Sequence, residues 1–328
     1  MSAPNIAAEG VTNPSTDDLL SNTLLTARCP VVFAPAMHTE MWEHAATRAN
    51  VATLRSRGAV VVEPAEGRLT GVDSGKGRLP EPDELFQVAT DILARGNRSL
   101  DLSGRHVVVS AGGTREYLDP VRFLGNRSSG RQGYALARAA VARGAEVTLV
   151  SANVSLPDPA GVKVVRVETT AQLREFVVSA AASADAVVMA AAPADYRPAT
   201  VSESKIKKAA DGSAPGLELT QNPDILHEIA TQRTRPGSVV VGFAAETGDD
   251  TGSVLDLARA KLARKGCDLL VVNDVSGGRV FGSSENEAVV LDAAGEETAV
   301  PRGSKSALAH VVWDRVAGLL ARSATPTG

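Results

Sequence analysis

The chain has 328 residues, of which 44% are hydrophobic and 22% charged, and its formal net charge is −4. These values are typical of a globular protein with one large or two smaller domains. The acidic balance and the aromatic content of only 3% argue against a nucleic-acid-binding surface. No apolar run reaches the ~18 residues that a membrane span needs, and the N-terminus lacks a signal-peptide pattern. We therefore expect a cytoplasmic protein that acts on small molecules, with neither a nucleic acid nor a membrane as its partner.

The two cysteines, Cys29 and Cys267, follow no CxxC spacing. This arrangement argues against a disulfide framework and against a structural zinc site, and it indicates a reducing compartment.

The first part of the chain predicts a small α/β block with two short strands and two helices. The strands are expected at 30–34 and 59–63, and the helices at 40–58 and 82–96. The polar, turn-rich stretch 96–105 is typical of a linker. We predict a disordered N-terminus over 1–17, a small domain over 18–98 and a larger domain over 99–322.

The larger domain shows short, valine-rich apolar runs that alternate with segments of helical period. This pattern predicts an α/β fold with a Rossmann-like, doubly wound, mostly parallel sheet, whose ligand binds at the carboxyl ends of the strands. The predicted strands are 106–110, 146–151, 162–167, 186–191, 238–244, 268–273 and 288–291, and the predicted helices are 131–143, 171–182, 223–231, 254–265 and 305–321.

A glycine-rich turn, with Gly112 and Gly113, follows the first strand of the larger domain. Glycines allow backbone N–H groups to approach a phosphate, so the turn indicates nucleotide binding. The P-loop string GxxxxGK[ST] is absent. A dinucleotide fingerprint is disfavoured, because about twenty residues separate the strand from its helix and the next strand ends at Ser151 instead of an acid. An NAD(P)-dependent oxidoreductase, for which no YxxxK pair is present, and a non-catalytic nucleotide-binding module remain the alternatives.

Several separate motifs of the larger domain resemble the phosphopantothenate–cysteine ligase family, which in bacteria is usually the C-terminal half of a bifunctional coenzyme A biosynthesis protein. The resemblance covers about 100–320. It is carried by SAGGTREYLDPVRFLGNRSSGRQGYALA (110–137), MAAAPADYRPATVSESKIKK (189–208), QNPDIL (221–226), VGFAAET (241–247), KLARKGCDLLVVNDVS (261–276) and the SK of PRGSKSALA.

The resemblance implies an amide ligation in two steps. CTP and 4′-phosphopantothenate would give an acyl-cytidylate and pyrophosphate, and the amino group of L-cysteine would then displace CMP. A carboxylate does not acylate an amine at neutral pH, so it must first become a mixed anhydride, and placing two anions together needs fixed positive charge. The family also implies Mg²⁺ bound to the triphosphate, with no ligands that the sequence identifies, and a homodimer or higher oligomer.

The resemblance also implies a role for individual residues. Lys205 would neutralise the α-phosphate, and Asn126 would handle the acyl-cytidylate. Lys207 and Lys208 would add to the local positive field. The nine residues between Asp195 and Lys205, among them Pro198, Thr200 and Ser204, predict a flexible flap. Lys261 and Lys265, four residues apart, would share one helix face. The full CTP site implied by the family is Gly112, Gly113, Met189, Ala190, Ala191, Asp195, Lys205, Asn222, Phe243, Lys261 and Lys265.

Residues 18–95 resemble the end of the flavin-dependent phosphopantothenoylcysteine decarboxylase that usually precedes the ligase. Met37, His38 and Met41 match the family's substrate clamp PxMNxxMW, with His38 in the place of its asparagine. Gly71 stands where the lid motif GxLACGxxGxGR has its acidic cysteine. Residues 1–17 resemble nothing in the family. We therefore expect a truncated decarboxylase segment whose FMN binding is doubtful and whose decarboxylation is lost or incomplete.

Overall fold

The computed structural model describes residues 19–69, 74–96, 100–207, 216–246, 254–274 and 285–324. The chain divides into two compact units. One contains the residues up to Asp101 together with Ala142–Gly144 and Pro159–Gly161, and the other contains the rest. The predicted disordered terminus over 1–17, Gly71 and Lys208 lie outside the described residues.

The described residues of the smaller unit form four helices and two pairs of short strands. The predicted helix over 40–58 is two helices, because His44 is extended (φ −60°, ψ 136°) and its side chain caps the second of them at Ala46 N. The antiparallel pair β3–β4 was not predicted, since its glycines and charged residues show no strand period. The elements are α1 Leu19–Thr26, β1 Val32–Phe33, α2 Thr39–Glu43, α3 Ala45–Ser56, β2 Val60–Val61, β3 Ala65–Arg68, β4 Ser74–Arg78 and α4 Pro82–Arg95.

In the larger unit each predicted strand and helix overlaps an observed one. The strands are β5 His106–Gly112, β6 Arg115–Tyr117, β7 Phe123–Gly125, β8 Glu146–Ala152, β9 Val162–Val167, β10 Ala186–Met189, β11 Tyr196–Pro198, β12 Leu219–Gln221, β13 Val239–Glu246, β14 Leu269–Asp274, β15 Glu285–Asp292 and β16 Glu297–Ser304. The helices are α5 Arg131–Ala142, α6 Thr170–Ala181, α7 Ile225–Thr231, α8 Val254–Lys265 and α9 Lys305–Ala324.

Eight of these strands form one sheet in the order β16-β15-β14-β13-β10-β5-β8-β9. The six strands from β14 to β9 are parallel. Numbered along the chain and counted from the β9 edge, they lie in the order 3-2-1-4-5-6. This is the doubly wound order, and it confirms the predicted fold class. The order reverses between β5 and β10, which is where such folds bind ligands. The antiparallel pair β15–β16 extends one edge, and Pro301 lies in the edge strand β16, where its missing N–H is tolerated.

Helices cover both faces of this sheet. On one face α5 and α9 pack on the strands through residues such as Leu136 and Trp313, and the indole Nε1 of the fully buried Trp313 donates to Leu136 O at 2.9 Å. On the other face α6, α7 and α8 contribute Leu173, Ile225 and Leu262. Burial on both faces explains why the parallel strands are continuous valine runs instead of alternating patterns.

Both cysteines are free; Cys29 is exposed and Cys267 is buried. Burial raises the pKa of the Cys267 thiol to about 11, so this side chain is protonated near neutral pH and is a poor nucleophile. Within the described parts of the chain, no helix combines the length and apolar character needed to cross a membrane.

The close packing of α5 on β5 gives a stability prediction. A Cβ at Gly133 in α5 would lie 2.5 Å from Ala111 Cβ and 2.8 Å from Ser110 O, whereas a Cβ at Gly318 in α9 meets nothing within 4 Å. We expect Gly133→Ala to lower the free energy of unfolding by ~1–3 kcal/mol. The matched change Gly318→Ala should raise it by up to ~1 kcal/mol, because alanine favours helix. Urea denaturation measures both, and equal effects would contradict the close approach of α5 to β5.

Candidate functional site

A cavity of about 770 Å³ opens at the carboxyl edge of the parallel strands in the larger unit. Its walls come from the segment before and at the start of α5, the residues that follow β10, the β12–α7 connection, β13 and the last turn of α8. These elements are distant in the chain, but the carboxyl ends of parallel strands meet at one edge. The cavity therefore lies where the sequence predicts the ligand site.

Positive charge dominates the lining of this cavity, although the whole chain carries −4. Among the described lining residues, six are cationic and two are acidic. Such a concentration of cations favours a multiply charged anion. The cations are Arg127, Arg131, Lys261, Arg264, Lys265 and Lys305, and the acids are Asp195 and Asp224.

Gly112, the last residue of β5, and Gly113 are not among the described residues that line the cavity. Gly112 has φ +87°, and a Cβ there would lie 2.0 Å from Ala152 O. A Cβ at Gly113 would lie 2.5 Å from Asn126 O, and Ala192 N donates to Gly112 O at 2.8 Å. Gly112 and Gly113 thus admit neighbouring backbone at short distance, and the nucleotide contact that the resemblance implied for them stays a prediction.

Asn126 lines the cavity and joins two of its walls. Its Nδ2 donates to Pro193 O at 2.8 Å, which ties the segment before α5 to the segment that follows β10. The side chain itself is exposed. A second amide, that of Asn153, donates to Gly113 O at 2.9 Å and to Glu168 O at 2.8 Å. These bonds hold the backbone of Gly113, which lies next to Asn126 O.

The run from Met189 to Ala191 forms an apolar wall. The Met189 side chain is buried in the core, and its Sδ accepts from Ser110 Oγ at 3.5 Å. The same hydroxyl accepts from Ala191 N at 3.1 Å, while Ala190 is half-buried and lines the cavity. Backbone groups and small side chains are therefore what this wall offers to a ligand.

Asn222 lines the cavity, but its amide is already engaged within the protein. Its Nδ2 donates to Ala194 O at 2.9 Å, its Oδ1 accepts from Arg197 Nη1 at 2.9 Å, and its backbone N donates to Asp195 O at 2.8 Å. The side chain is almost fully buried. Asn222 is therefore suited to positioning Asp195. The carboxylate of Asp195 is exposed, so a ligand can reach it.

Phe243, Lys261 and Lys265 line the opposite part of the cavity. Phe243 is partly buried and packs against the core of the sheet, so this residue belongs both to the cavity lining and to the core. Lys265 forms an ion pair with Asp224, the residue that caps α7 by accepting from His227 N at 3.1 Å. Burial opposes ionisation of Asp224, but Lys265 and the capping N–H outweigh it and lower the pKa of this carboxyl. The ion pair fixes the ammonium group of Lys265 at the cavity wall, beside Asp224.

Lys205 is exposed, and it is not among the described residues that line the cavity. Its neighbours are held instead against the turn between β6 and β7. Ile206 N donates to Asp119 Oδ2 at 3.1 Å, Ile206 O accepts from Arg122 Nη2 at 3.0 Å, and Ser202 N donates to Leu118 O at 3.0 Å. In this conformation the segment between Asp195 and Lys205 is held at two places, because 196–198 pair as β11 with β12 and 202–206 are anchored, and its flexibility stays a prediction.

Asp119 is the centre of that anchor. Its side chain is 0% exposed and accepts from the backbone N–H groups of Val121 and Arg122, both at 2.9 Å, and from Arg122 Nε at 2.9 Å. Hydrogen bonds from the Arg122 guanidinium, together with these backbone donors and against the effect of burial, hold the pKa of Asp119 well below its usual range. A carboxylate that is charged at all ordinary pH values thus fixes the backbone next to Lys205.

Four cations of the cavity were not predicted from the sequence: Arg127, Arg131, Arg264 and Lys305. The signal was present for three of them, since Arg127 and Arg131 lie within NRSSGR (126–131) and Lys305 belongs to the SK motif. Arg264 carries no motif of its own and was passed over beside Lys261 and Lys265.

In the smaller unit the predicted clamp segment packs on the β3–β4 hairpin. Met37 N donates to Gly77 O at 2.9 Å, and a Cβ at Gly77 would lie 2.0 Å from Met37 O. His38 is half-buried and Met41 is exposed. The two motifs that resemble the decarboxylase clamp and lid are therefore adjacent in the fold.

The anchor at Asp119 can be tested by hydrogen exchange. In Asp119→Asn one oxygen becomes an NH₂ donor that faces other donors, so we expect amide exchange in 202–206 to accelerate by about tenfold or more. The control is Asp158→Asn, which removes an exposed ion pair with Arg166 (2.8 Å) and should leave 202–206 unchanged. Mass spectrometry of exchanged peptides measures both variants. Equal protection of 202–206 in wild type and Asp119→Asn would contradict the anchoring.

Two family models match the chain. The DNA/pantothenate metabolism flavoprotein C-terminal domain matches residues 102–320, and the Flavoprotein family matches residues 8–93. The second match starts at residue 8, so the expectation that nothing in 1–17 resembles the family is wrong for residues 8–17. The match also supports assigning the smaller unit to the decarboxylase part of the family.

Named relatives cover nearly the whole chain. The coenzyme A biosynthesis bifunctional protein CoaBC of Mycobacterium tuberculosis is 56% identical over 311 residues, which are 93% of this chain and 74% of the relative. The protein of the same name from Bacillus subtilis is 41% identical over 309 residues, 94% of this chain and 74% of the relative. A crystal structure of the C-terminal domain of a CoaBC protein matches with a TM-score of 0.57 and 33% identity, over 68% of this chain and all of that domain. The chain therefore belongs to the family of bifunctional coenzyme A biosynthesis proteins, with a flavoprotein segment followed by a ligase-type domain, as its motifs predicted.

Proposed function

We propose that the larger unit joins 4′-phosphopantothenate to L-cysteine with CTP as the activating nucleotide, through an acyl-cytidylate. The observation that carries this proposal is the cation-lined cavity at the sheet's switch point. That cavity brings together Asp195, Phe243, Lys261 and Lys265, which the resemblance assigned to one CTP site, and Asn126, to which it assigned the acyl-cytidylate. Family membership supports the same reaction class.

The first step forms a mixed anhydride. A carboxylate oxygen of 4′-phosphopantothenate attacks the α-phosphorus of CTP, and the bond from that phosphorus to the bridging oxygen breaks, releasing pyrophosphate. Two anions must approach each other in this step, and fixed cations reduce the repulsion without reorganising during the reaction. The excess of cations in the cavity lining supplies that field.

The second step forms the amide. The amino group of cysteine attacks the acyl carbon, the bond from that carbon to the phosphate oxygen breaks, and CMP leaves while the amine loses a proton. Asn126 is suited to holding the acyl-cytidylate, because its own backbone and its Nδ2 contact are fixed by Gly113 and Pro193. The apolar wall at Met189–Ala191 and the ring of Phe243 favour the cytosine end of the nucleotide.

Magnesium enters this proposal only as the counter-ion of CTP. Over the described ranges, no group of three or more His, Cys, Asp or Glu side chains could hold a metal ion. Mg²⁺ commonly keeps its water and binds mostly through phosphates, which fits such a cavity. We assign no step to it. The reaction also needs no flavin, so the family's FMN concerns the smaller unit alone. We infer that the reaction takes place in the cytoplasm, where CTP is supplied.

In this proposal Lys205 acts in the cavity of a second copy of the chain and not in that of its own. It is exposed, its backbone neighbours are anchored to the β6–β7 turn, and it does not line the cavity of its own chain, as far as the described residues define it. A homodimer in which the segment 202–206 faces the partner's cavity would bring its ammonium to the α-phosphate. The homodimer expected from the resemblance thus gives Lys205 its role.

Pyrophosphate release tests the reaction itself. We expect release from the wild-type protein only when CTP, 4′-phosphopantothenate and Mg²⁺ are all present, with ATP a poor replacement. Lys205→Gln should lower kcat by ~10²-fold or more, because it removes a charge contact made in the transition state. Lys163→Gln, at an exposed position in the edge strand β9, is the control and should keep its activity. CTP binding without turnover would favour the non-catalytic module, and reduction of NAD(P)⁺ would favour the oxidoreductase.

Subunit complementation tests the placement of Lys205. If Lys205 and Asn126 serve one site from two different chains, a mixed dimer of Lys205→Gln and Asn126→Ala has one site with both changes and one with neither. Co-expression of the two inactive variants should then restore about a quarter of wild-type activity, since mixed dimers are about half of a statistical mixture. If the mixture stays inactive while mixed dimers are present by mass spectrometry, Lys205 acts within its own chain.

A further inference from the structure

Two threonines and a glutamate form a buried relay of hydrogen bonds that ends at the cavity wall. Thr114 follows β5, Glu116 belongs to β6 and Thr170 is the first residue of α6, and they are 1%, 5% and 0% exposed. Glu116 Oε1 accepts from Thr170 N at 2.9 Å and from Thr170 Oγ1 at 2.8 Å. Thr170 Oγ1 lies 2.9 Å from Thr114 Oγ1, which accepts from Ala194 N at 2.9 Å. The relay thus joins a side chain of β6 to the backbone of a residue that lines the cavity.

The hydroxyl protons of this relay have one arrangement that satisfies all of its bonds. A threonine hydroxyl has a single proton, and its oxygen can accept as well as donate. Thr170 donates its proton to Glu116, so towards Thr114 it can only accept. The Thr114 hydroxyl then donates to Thr170 and offers its lone pairs to Ala194 N. Glu116 therefore sets the orientation of the Thr114 hydroxyl through Thr170.

Capping of α6 alone does not explain the relay. The helix has its own capping box, in which Thr169 Oγ1 accepts from Gln172 N and Gln172 Oε1 accepts from Thr169 N, both at 3.3 Å. Burying polar side chains costs free energy unless they are hydrogen-bonded, whereas apolar side chains would fill the same space without that cost. A buried polar network whose members are bonded rigidifies the segments that it joins. One of the segments joined here is the cavity wall.

The peptide group between Pro193 and Ala194 is held at both of its polar atoms. Its N–H donates to Thr114 Oγ1, and its carbonyl oxygen accepts from Asn126 Nδ2 at 2.8 Å. Because the peptide group is planar, these two bonds together fix its orientation. Asp195, the exposed acid of the cavity lining, follows directly in the chain. A rotation of this peptide would therefore displace both the Asn126 amide and the Asp195 carboxylate.

We propose that Glu116, Thr170 and Thr114 are positioning residues that hold the Pro193–Ala194 peptide and thereby set the affinity of the cavity for the nucleotide. This rests on the proposed CTP-dependent reaction, in which that wall faces the nucleotide. The three residues are not among the described residues that line the cavity, so they act through the wall.

Calorimetric binding of CTP to threonine variants tests the proposal. Thr114→Val removes the acceptor of Ala194 N at nearly constant shape, so we expect the Kd for CTP to rise about tenfold, the size of one lost hydrogen bond. Thr170→Val leaves the Thr114 hydroxyl without its acceptor and should raise this Kd about threefold. Thr114→Ser keeps the hydroxyl and should stay within about twofold of the wild type. The control is Thr148→Val, which removes a buried hydroxyl that lies 3.1 Å from His106 Nε2, near the amino ends of β5 and β8, and should bind CTP as the wild type does.

The double variant Thr114→Val/Thr170→Val separates positioning from a general loss of stability. If the two residues act in series, its Kd for CTP equals that of Thr114→Val alone, because the relay is already interrupted. Three results would overturn the inference. They are an unchanged Kd in Thr114→Val, a Kd of the double variant that rises by the product of the two single effects, and an equal rise in Thr148→Val.

Amide exchange of Ala194, measured by NMR without ligand, distinguishes failure of this inference from failure of the proposed function. We expect the Ala194 amide to exchange at least about tenfold faster in Thr114→Val than in the wild type, because its acceptor is removed. Equal exchange in the two proteins would show that Thr114 does not hold the wall. Failure of the proposed function is seen separately, as the absence of CTP-dependent pyrophosphate release from the wild-type protein.

Discussion

The close approach of backbone to backbone at the end of β5 is the constraint on which the rest of the site depends. Three glycines make it possible. Gly112 lies against Ala152 O, Gly113 against Asn126 O, and Gly133 against Ser110 O and Ala111. With side chains at these positions the segment before α5, the residues that follow β10 and α5 itself would be displaced by an ångström or more. The cavity exists because these segments cross the carboxyl end of β5 at contact distance.

The charge distribution of the larger unit follows from the same geometry. Helices α5 and α9 begin at the cavity, and α8 ends there with Lys261, Arg264 and Lys265 in its last two turns. The cations at the end of α8 are placed favourably with respect to the helix dipole, whereas Arg131 and Lys305 are placed against it. A protein of net charge −4 thus concentrates positive charge at one edge of its sheet.

Asp119 shows how a remote acid can serve a cationic site. It lies at the turn between β6 and β7, and it holds the backbone N–H of Ile206, 87 positions further along the chain. The predicted flap was inferred from Pro198, Thr200 and Ser204, which are typical of loops. Such residues do not indicate which part of the chain a loop will contact. Here the loop is held by the turn between β6 and β7. The hairpins themselves were missed because strands of three residues show no measurable period.

The sequence by itself determined the α/β class, the doubly wound sheet and several of the cavity residues, because valine runs, helical periods and motifs are local properties of the chain. It also identified Asn126, Asp195, Phe243, Lys261 and Lys265 before any of them could be placed together. Only the tertiary structure decided that Gly112 and Gly113 admit neighbouring backbone at short distance and that the Asn222 amide is hydrogen-bonded to Ala194 and Arg197. It also decided that Lys205 is not among the described residues that line the cavity of its own chain. Only the tertiary structure brought Lys305 and Arg131 into the lining of one cavity. These outcomes depend on contacts between residues far apart in the chain, and no local pattern records which distant backbone atom a side chain will meet.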